Sequence, residues 1–217
     1  MDRRYGMATG SYEEERDDWL PAIDRARGEG WRFLELTAIF EPRLTALSVF
    51  LAEHRALLED FDRVSLHAPV QSDVPATTIE TIESLALDAD VIFHPDRWGN
   101  EPSVDVLGSR VVFENMDIAK EFGRSVADLE VVFATHPDAG FCLDVAHVWT
   151  NDRSLRLGHD LLDAFAGRLR QLHVSGIEPD GTHRTTTQDD LELYRPLLER
   201  CSGVPWILEA VVEQVRT

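Results

Sequence analysis

Short β-rich apolar runs alternate with helix-length amphipathic segments along the whole of this 217-residue chain, and that alternation constrains its fold more than any other feature. The runs cover residues 31–38, 64–68, 91–94, 110–114, 141–144, 169–174 and 206–209, with a shorter candidate at 7–9. Most span four to eight residues and are rich in Val, Ile, Phe and Trp, side chains that fit a pleated buried surface. Between them, residues 12–27 place apolar groups at Trp19, Leu20, Ile23 and Ala26, and residues 44–58 place them at Leu44, Leu47, Phe50, Leu51 and Leu58. Each spacing draws one apolar stripe down a helix. Residues 77–87 open with Thr77 and Glu80 at capping-box spacing, and Ser125 with Asp128 loosely resembles the same device before Leu129. Residues 155–165 and 189–198 complete the helical series.

Strand and helix in strict alternation imply parallel strands joined by right-handed crossovers. Counting the short first run, eight such units predict an α/β chain closed into a compact (β/α)8 barrel. A doubly wound open sheet is the alternative, but the glycine-rich first turn that would announce it is missing: there is no G-x-G-x-x-G and no G-x-x-x-x-G-K-[ST]. No Ser/Pro/Gly-rich linker divides the sequence, so residues 1–217 read as one domain. Hydrophobic residues at 43% and charged residues at 28% are the mix of an ordinary globular protein.

A net charge of −19 argues against nucleic acid as a partner, because each phosphate contact would have to overcome the field of the whole molecule. Lys120 is the single lysine, so Schiff-base chemistry has one candidate. Cys142 and Cys201 have no zinc-type spacing and read as buried thiols. No stretch approaches the ~20 apolar residues of a membrane span, and the first residues lack the apolar core of a signal peptide, so the expectation is a cytoplasmic protein without a membrane partner.

The residue that closes each apolar run carries the chemistry. His67, His94, Glu114, Asp144, His173 and Glu209 end six consecutive predicted strands. In a parallel barrel all these carboxyl ends converge on one rim, where active sites are built. Three carboxylates packed together cannot all stay ionised unless a cation or a proton offsets them, and interleaved imidazoles favour the cation. A mixed nitrogen and oxygen donor set suits Zn²⁺ or Mn²⁺ better than Ca²⁺ or Mg²⁺. His147, three residues after Asp144, and His183, in the loop after the seventh strand, belong to the same rim. His54 and His159 fall on predicted helices, and His136 precedes the sixth strand at the opposite end.

The segments Ser65-Leu66-His67-Ala68-Pro69, Phe93-His94-Pro95, Phe113-Glu114-Asn115-Met116, Cys142-Leu143-Asp144-Val145-Ala146-His147, Leu172-His173-Val174 and Leu208-Glu209, in this order, resemble the xylose isomerase-like TIM-barrel superfamily. That superfamily contains sugar isomerases, ketose epimerases and the endonuclease IV class of apurinic-site nucleases. The isomerase and epimerase branch implies one divalent metal on Glu114, Asp144, His173 and Glu209. It also implies that Glu114 and Glu209 remove and return a proton beside a carbonyl that the metal polarises. His147 would orient the substrate, Arg184 would hold a hydroxyl or phosphate, and Trp98 and Trp149 would pack against apolar sugar faces. Glu35 shares a strand face with Phe33, which makes it either a substrate contact or a polar contact inside the barrel.

The endonuclease branch implies three zinc ions. It adds His67 and His94 with bridging Glu114, then a third ion on His147, His183 and an aspartate two residues before that histidine. Gly181 stands at that last position, with Asp180 one further back. The resemblance therefore implies one to three divalent ions and a small sugar substrate, with an apurinic-site phosphodiesterase or a non-catalytic metal- or sugar-binding barrel as alternatives. Homo-oligomers are common in the superfamily, although no patch in this sequence requires one.

Overall fold

The computed structural model describes residues 5–12, 18–71 and 77–210. Eight parallel strands close into a barrel: β1 (Tyr5–Ala8), β2 (Phe33–Thr37), β3 (Arg63–His67), β4 (Asp90–Phe93), β5 (Val111–Glu114), β6 (Gly140–Asp144), β7 (Leu169–Val174) and β10 (Trp206–Leu208). Each strand pairs with the next in the sequence, and β10 closes the ring between β7 and β1. The chain is thus a (β/α)8 TIM barrel, as the alternation predicts. A small antiparallel hairpin, β8 (Gly176–Ile177) with β9 (His183–Arg184), rises from the end of β7.

The helices are α1 (Trp19–Gly28), α2 (Glu41–His54), α3 (Thr78–Ser84), α4 (Pro95–Trp98), α5 (Val126–Thr135), α6 (Val145–Asn151), α7 (Arg156–Phe165) and α8 (Gln188–Arg200). Ser125 and Asp128, only loosely like a capping box in the sequence, form one in full, and Thr187 with Asp190 makes a second at the start of α8. Thr77 makes none: its backbone is helical (φ −77°, ψ −3°) instead of extended, so its hydroxyl is not aimed at the free amides of α3. Residues 13–17 of the first predicted helix lie outside the described residues. Between β4 and β5 the crossover holds only the one-turn α4 and a 3-10 stretch, Pro102–Arg110, interrupted at Gly108. Among the described residues no helix is long and apolar enough to cross a membrane.

Two cores follow from the period of two along each strand. Outward-facing Leu34, Leu36, Leu66, Phe93, Phe113, Phe141, Leu143 and Leu172 pack with Ile23, Leu44, Leu47, Ile82, Leu129, Val132, Leu161 and Leu197 of the helices. Inward-facing Ile92, Val112 and Cys142 form a separate cluster inside the barrel, where the Cys142 thiol is buried. The next inward position on the same strands, two residues on, is the rim.

The loop after β5 is held by a bond from Met116 N–H to Gly123 O. Gly123 sits at φ +87°, and a Cβ there would come within 2.4 Å of Pro95 Cγ and 2.9 Å of Met116 Cγ. Only glycine meets both demands.

Candidate metal centre

At the carboxyl ends of the strands, His67, Glu114, Asp144, His147 and His173 are all at most 4% exposed. Glu209 and His94, with side chains 14% exposed, border the same space. Glu114 is the hub. Its Oε2 lies 3.2 Å from His173 Nδ1, 3.4 Å from His67 Nε2 and 3.7 Å from His94 Nε2, and its Oε1 lies 3.1 Å from His147 Nδ1. His173 Nδ1 is also 3.2 Å from Glu209 Oε1.

Ligand-type atoms of Glu114, Asp144, His173 and Glu209 all lie within 4.8 Å of one another. The sets His67/His94/Glu114, His67/His173/Glu209 and Asp144/His147/His183 meet the same limit. Glu114 Oε2, Asp144 Oδ2, His173 Nδ1 and His94 Nδ1 are buried without a hydrogen-bond partner. Buried polar atoms are almost always paired, so the three orphans that converge, Glu114 Oε2, Asp144 Oδ2 and His173 Nδ1, fit a cation better than any protein donor, while His94 Nδ1 faces Asp96 Oδ1 at 3.9 Å. The buried His, Glu and Asp clusters thus have the donor set of a divalent metal site.

Asp144 is aimed by two neighbours. Its backbone N–H donates to Asn115 Oδ1 (2.9 Å), its carbonyl accepts from Asn115 Nδ2 (3.0 Å), and its own Oδ1 caps α6 by accepting from His147 N–H (2.6 Å). That leaves Oδ2 for the centre. His147 Nδ1 faces the Asn115 carbonyl at 2.8 Å, which turns Nε2 outward to His183 Nε2 (3.4 Å) and Asp117 Oδ2 (4.0 Å). His183 rides on β9, exposed as a residue but with its Nε2 turned to the site.

The electrostatics follow from this crowding. Burial pushes Glu114 up, but the imidazoles of His173, His147 and His67 outweigh it and hold the carboxyl well below the usual range. Burial also raises Glu209, and there the carboxylates of Glu114, Asp144 and Glu35 add to it against His173, so the group is pushed up to about 8. His147 rises to about 10 because Asp144 and Glu114 overcome its burial. His173 is raised well above an ordinary histidine: burial opposes this, and Cys142, Glu209, Glu35 and Glu114 override it. His94 is driven well down by burial, with His67, His147 and Lys120 adding to it against Glu114. The upward shifts of His173, His147 and Glu209 favour protonated forms that offset the carboxylates, and a divalent ion would displace such protons.

One layer down lies a network that the rim positions alone did not reveal. Glu35, 0% exposed, accepts through Oε2 from Ser65 Oγ (3.0 Å), Gln171 Nε2 (2.7 Å) and His173 Nε2 (3.1 Å). Of the two expectations for Glu35, the polar contact inside the barrel is the one its geometry matches.

Three other side chains expected at the substrate are engaged within the protein. Trp98 is 3% exposed, its indole N–H donates to the Pro69 carbonyl (2.8 Å) and the Arg97 guanidinium covers its ring at 4.4 Å, so it packs as a core residue without a face for sugar. Trp149 is half-buried against the core and capped by the Arg153 guanidinium at 3.3 Å. Arg184 spends both terminal nitrogens on Asp190, each at 2.8 Å, and its Nε on Glu178 at 3.3 Å. That pairing ties β9 to the start of α8 instead of offering a free cation to substrate. His136, expected away from the rim, is buried between Asp105 and the Gly99 carbonyl.

No protein-family model matches the chain, and no curated protein matches it. Solved structures do. The 3-keto-D-glucoside 4-epimerase YcjR of E. coli superposes with a TM-score of 0.64 at 13% identity, over 99% of this chain and 94% of that one. A xylose isomerase domain protein of Alicyclobacillus acidocaldarius gives 0.60 at 17% identity, over 98% and 91%. The probable 3-DHS dehydratase AsbF of Bacillus anthracis gives 0.62 at 13% identity, over 97% and 93%. Identities this low establish architecture and not activity. Over nearly its whole length this chain shares the TIM-barrel fold of these three structures.

Proposed function

We propose that this protein is a divalent-metal-dependent isomerase or epimerase of a small sugar or sugar phosphate, with the ion held by Glu114, Asp144, His173 and Glu209. The observation that carries this reading is the convergence of the orphaned Glu114 Oε2, Asp144 Oδ2 and His173 Nδ1 at the mouth of the barrel, with Glu209 in the same group. The epimerase among the similar structures agrees with it. Zn²⁺ and Mn²⁺ suit a site of three carboxylates and one imidazole such as this. A bound ion supplies Lewis-acid polarisation of a substrate carbonyl, which acidifies the adjacent C–H.

The chain's own residues supply the rest. Glu114, on β5, and Glu209, just past β10, come from separate sectors of the ring, so a flat substrate carbon between them has a carboxyl group to either side. One removes the proton and the other returns it. His147, held through Nδ1 by the Asn115 carbonyl, presents a fixed Nε2 to a substrate oxygen. His67 and His94 line the Glu114 side and complete a second cation site in the alternative reading.

That alternative is a metal-dependent phosphodiesterase of the apurinic-site type. One observation favours it: the Asp144/His147/His183 group supplies donors for a further ion. Against it stands the net charge of −19.

The test begins with metal analysis by mass spectrometry of protein never exposed to chelator, where one or more equivalents of divalent metal are expected. Incubation with a ketose panel in D₂O should then give exchange at the carbon beside the carbonyl, lost in Glu114→Gln. Cleavage of an abasic duplex without any such exchange would select the phosphodiesterase, and sugar binding without either reaction would select a binding protein. Protein free of metal would refute the site assignment.

A further inference from the structure

We infer that Glu35 is the positioning residue of the metal centre: from the barrel floor it holds the His173 ring so that Nδ1 points at the ion. The inference rests on the proposed metal site and goes beyond it, because Glu35 touches neither ion nor substrate.

Four observations carry it. First, the inward positions two residues before the rim ligands are Ser65, Ile92, Val112, Cys142, Gln171 and Ile207, an apolar or neutral floor. Glu35 is the one carboxylate at that level among the described residues, and at 0% exposure a carboxylate there is costly unless its partners give something back. Second, its Oε2 accepts from His173 Nε2 at 3.1 Å, a bond that reaches across the barrel from β2 to β7. With the proton on Nε2, the lone pair of His173 is on Nδ1, the atom 3.2 Å from both Glu114 Oε2 and Glu209 Oε1. Third, Ser65 Oγ and Gln171 Nε2 donate to the same Oε2 and fix the carboxylate itself, so the ring is held by a held group; Gln171 Nε2 also lies 2.9 Å from His173 Nε2, and of the two groups at that nitrogen only the Glu35 carboxylate can accept its proton. Fourth, Glu35 Oε1 has no partner, so every hydrogen bond of this carboxylate runs through Oε2, the atom that meets His173. A carboxylate behind a ligating imidazole sets the ring orientation and raises its basicity, and removal of such a partner weakens metal affinity by ~10–100-fold.

The experiment measures the Mn²⁺ and Co²⁺ dissociation constants of metal-depleted full-length protein by competition with a chromophoric chelator, for wild type, Glu35→Gln and Ser65→Ala. Glu35→Gln should weaken binding by at least about tenfold at unchanged stoichiometry. It should also alter the visible d–d spectrum of the Co²⁺-loaded protein, because the His173 donor changes while the ligand count does not. Ser65→Ala, which removes a floor hydrogen bond without touching His173, should shift the constant by less than threefold. Equal affinity in Glu35→Gln overturns the inference, as does an equal loss in Ser65→Ala, since that marks generic floor packing. If Glu35→Gln does not fold, as judged by circular dichroism, Glu35→Asp is read in its place: the retracted carboxylate should still weaken binding, and wild-type affinity refutes. Wild-type protein that binds neither ion refutes the metal site itself, a different failure.

Discussion

Replacing Asn115 with alanine should unfold this barrel several degrees earlier, although Asn115 is no proposed ligand. Its amide bonds both backbone groups of Asp144, the N–H at 2.9 Å and the carbonyl at 3.0 Å, and it is 1% exposed. In Asn115→Ala the Asp144 N–H is left in a dry site with no acceptor, which costs roughly 1–3 kcal/mol. The carbonyl loses less, about 0.5–1.5 kcal/mol, because as the helix N-cap it keeps the first backbone bond of α6. The sum is about 2–4 kcal/mol, which for a chain of this size lowers Tm by roughly 4–16 °C. Thermal unfolding followed by circular dichroism in excess chelator, so that bound metal adds nothing to either protein, measures it. Asn115→Asp should be at least as damaging, since it turns a donor facing a carbonyl into a second buried acceptor. A Tm within 2 °C of wild type for Asn115→Ala would show that water or the partner strand replaces both bonds and that this reading of the β5–β6 junction is wrong.

Metal affinity should strengthen as pH rises through about 8, because Glu209 is pushed up to about 8, His173 is raised, and both must release protons to bind an ion; chelator competition at pH 6, 7, 8 and 9 checks this, and a flat profile would contradict the protonation pattern. Gly123→Ala combines a +87° φ with a Cβ 2.4 Å from Pro95 Cγ and should destabilise by at least about 1 kcal/mol in urea unfolding, with no gain from the added methyl. Thr187→Ala removes the cap of α8 and should cost about 1 kcal/mol in the same assay. Asp190, which joins that cap to Arg184, is held below the usual carboxylate range: burial raises it and the bonds from Arg184 and Thr187 win. Its contribution is therefore full above pH ~4, the ordinary aspartate value, and is lost as pH falls through the depressed value of the folded state, so Asp190→Asn should destabilise at pH 7 and converge on wild type in acid.

The barrel is legible in the sequence because closure demands eight apolar runs of similar length, and each run stands out from its flanks. Strand boundaries come within one or two residues of those read from the sequence, as at β7, where residues 169–174 are both the run and the strand. What the pattern misses is local conformation that patterning does not control. Thr77 has the right neighbours for a cap but the wrong φ and ψ, and the crossover after β4 has no helical stripe to read. Tryptophans and arginines near the rim are equally ambiguous in one dimension. Trp98 is claimed by a carbonyl 29 residues away and Arg184 by an aspartate on the next helix, partners that only the folded chain brings into reach.

The candidate site is legible for a sharper reason: a ligand that ends a strand in a parallel barrel needs no knowledge of its partners to be placed on the common rim. Its support is partly legible by the same rule, since the side chain two residues before each ligand must lie directly beneath it. Applied to the six strand-end residues, that step returns Ile92, Val112, Cys142 and Ile207, as expected of a core, and two polar exceptions, Ser65 and Gln171. Both exceptions donate to Glu35. A polar residue on a barrel floor thus marks where the floor is holding something in place. The residue it serves stays hidden until the ring closes, because Glu35 and His173 are 138 positions apart and meet only across it.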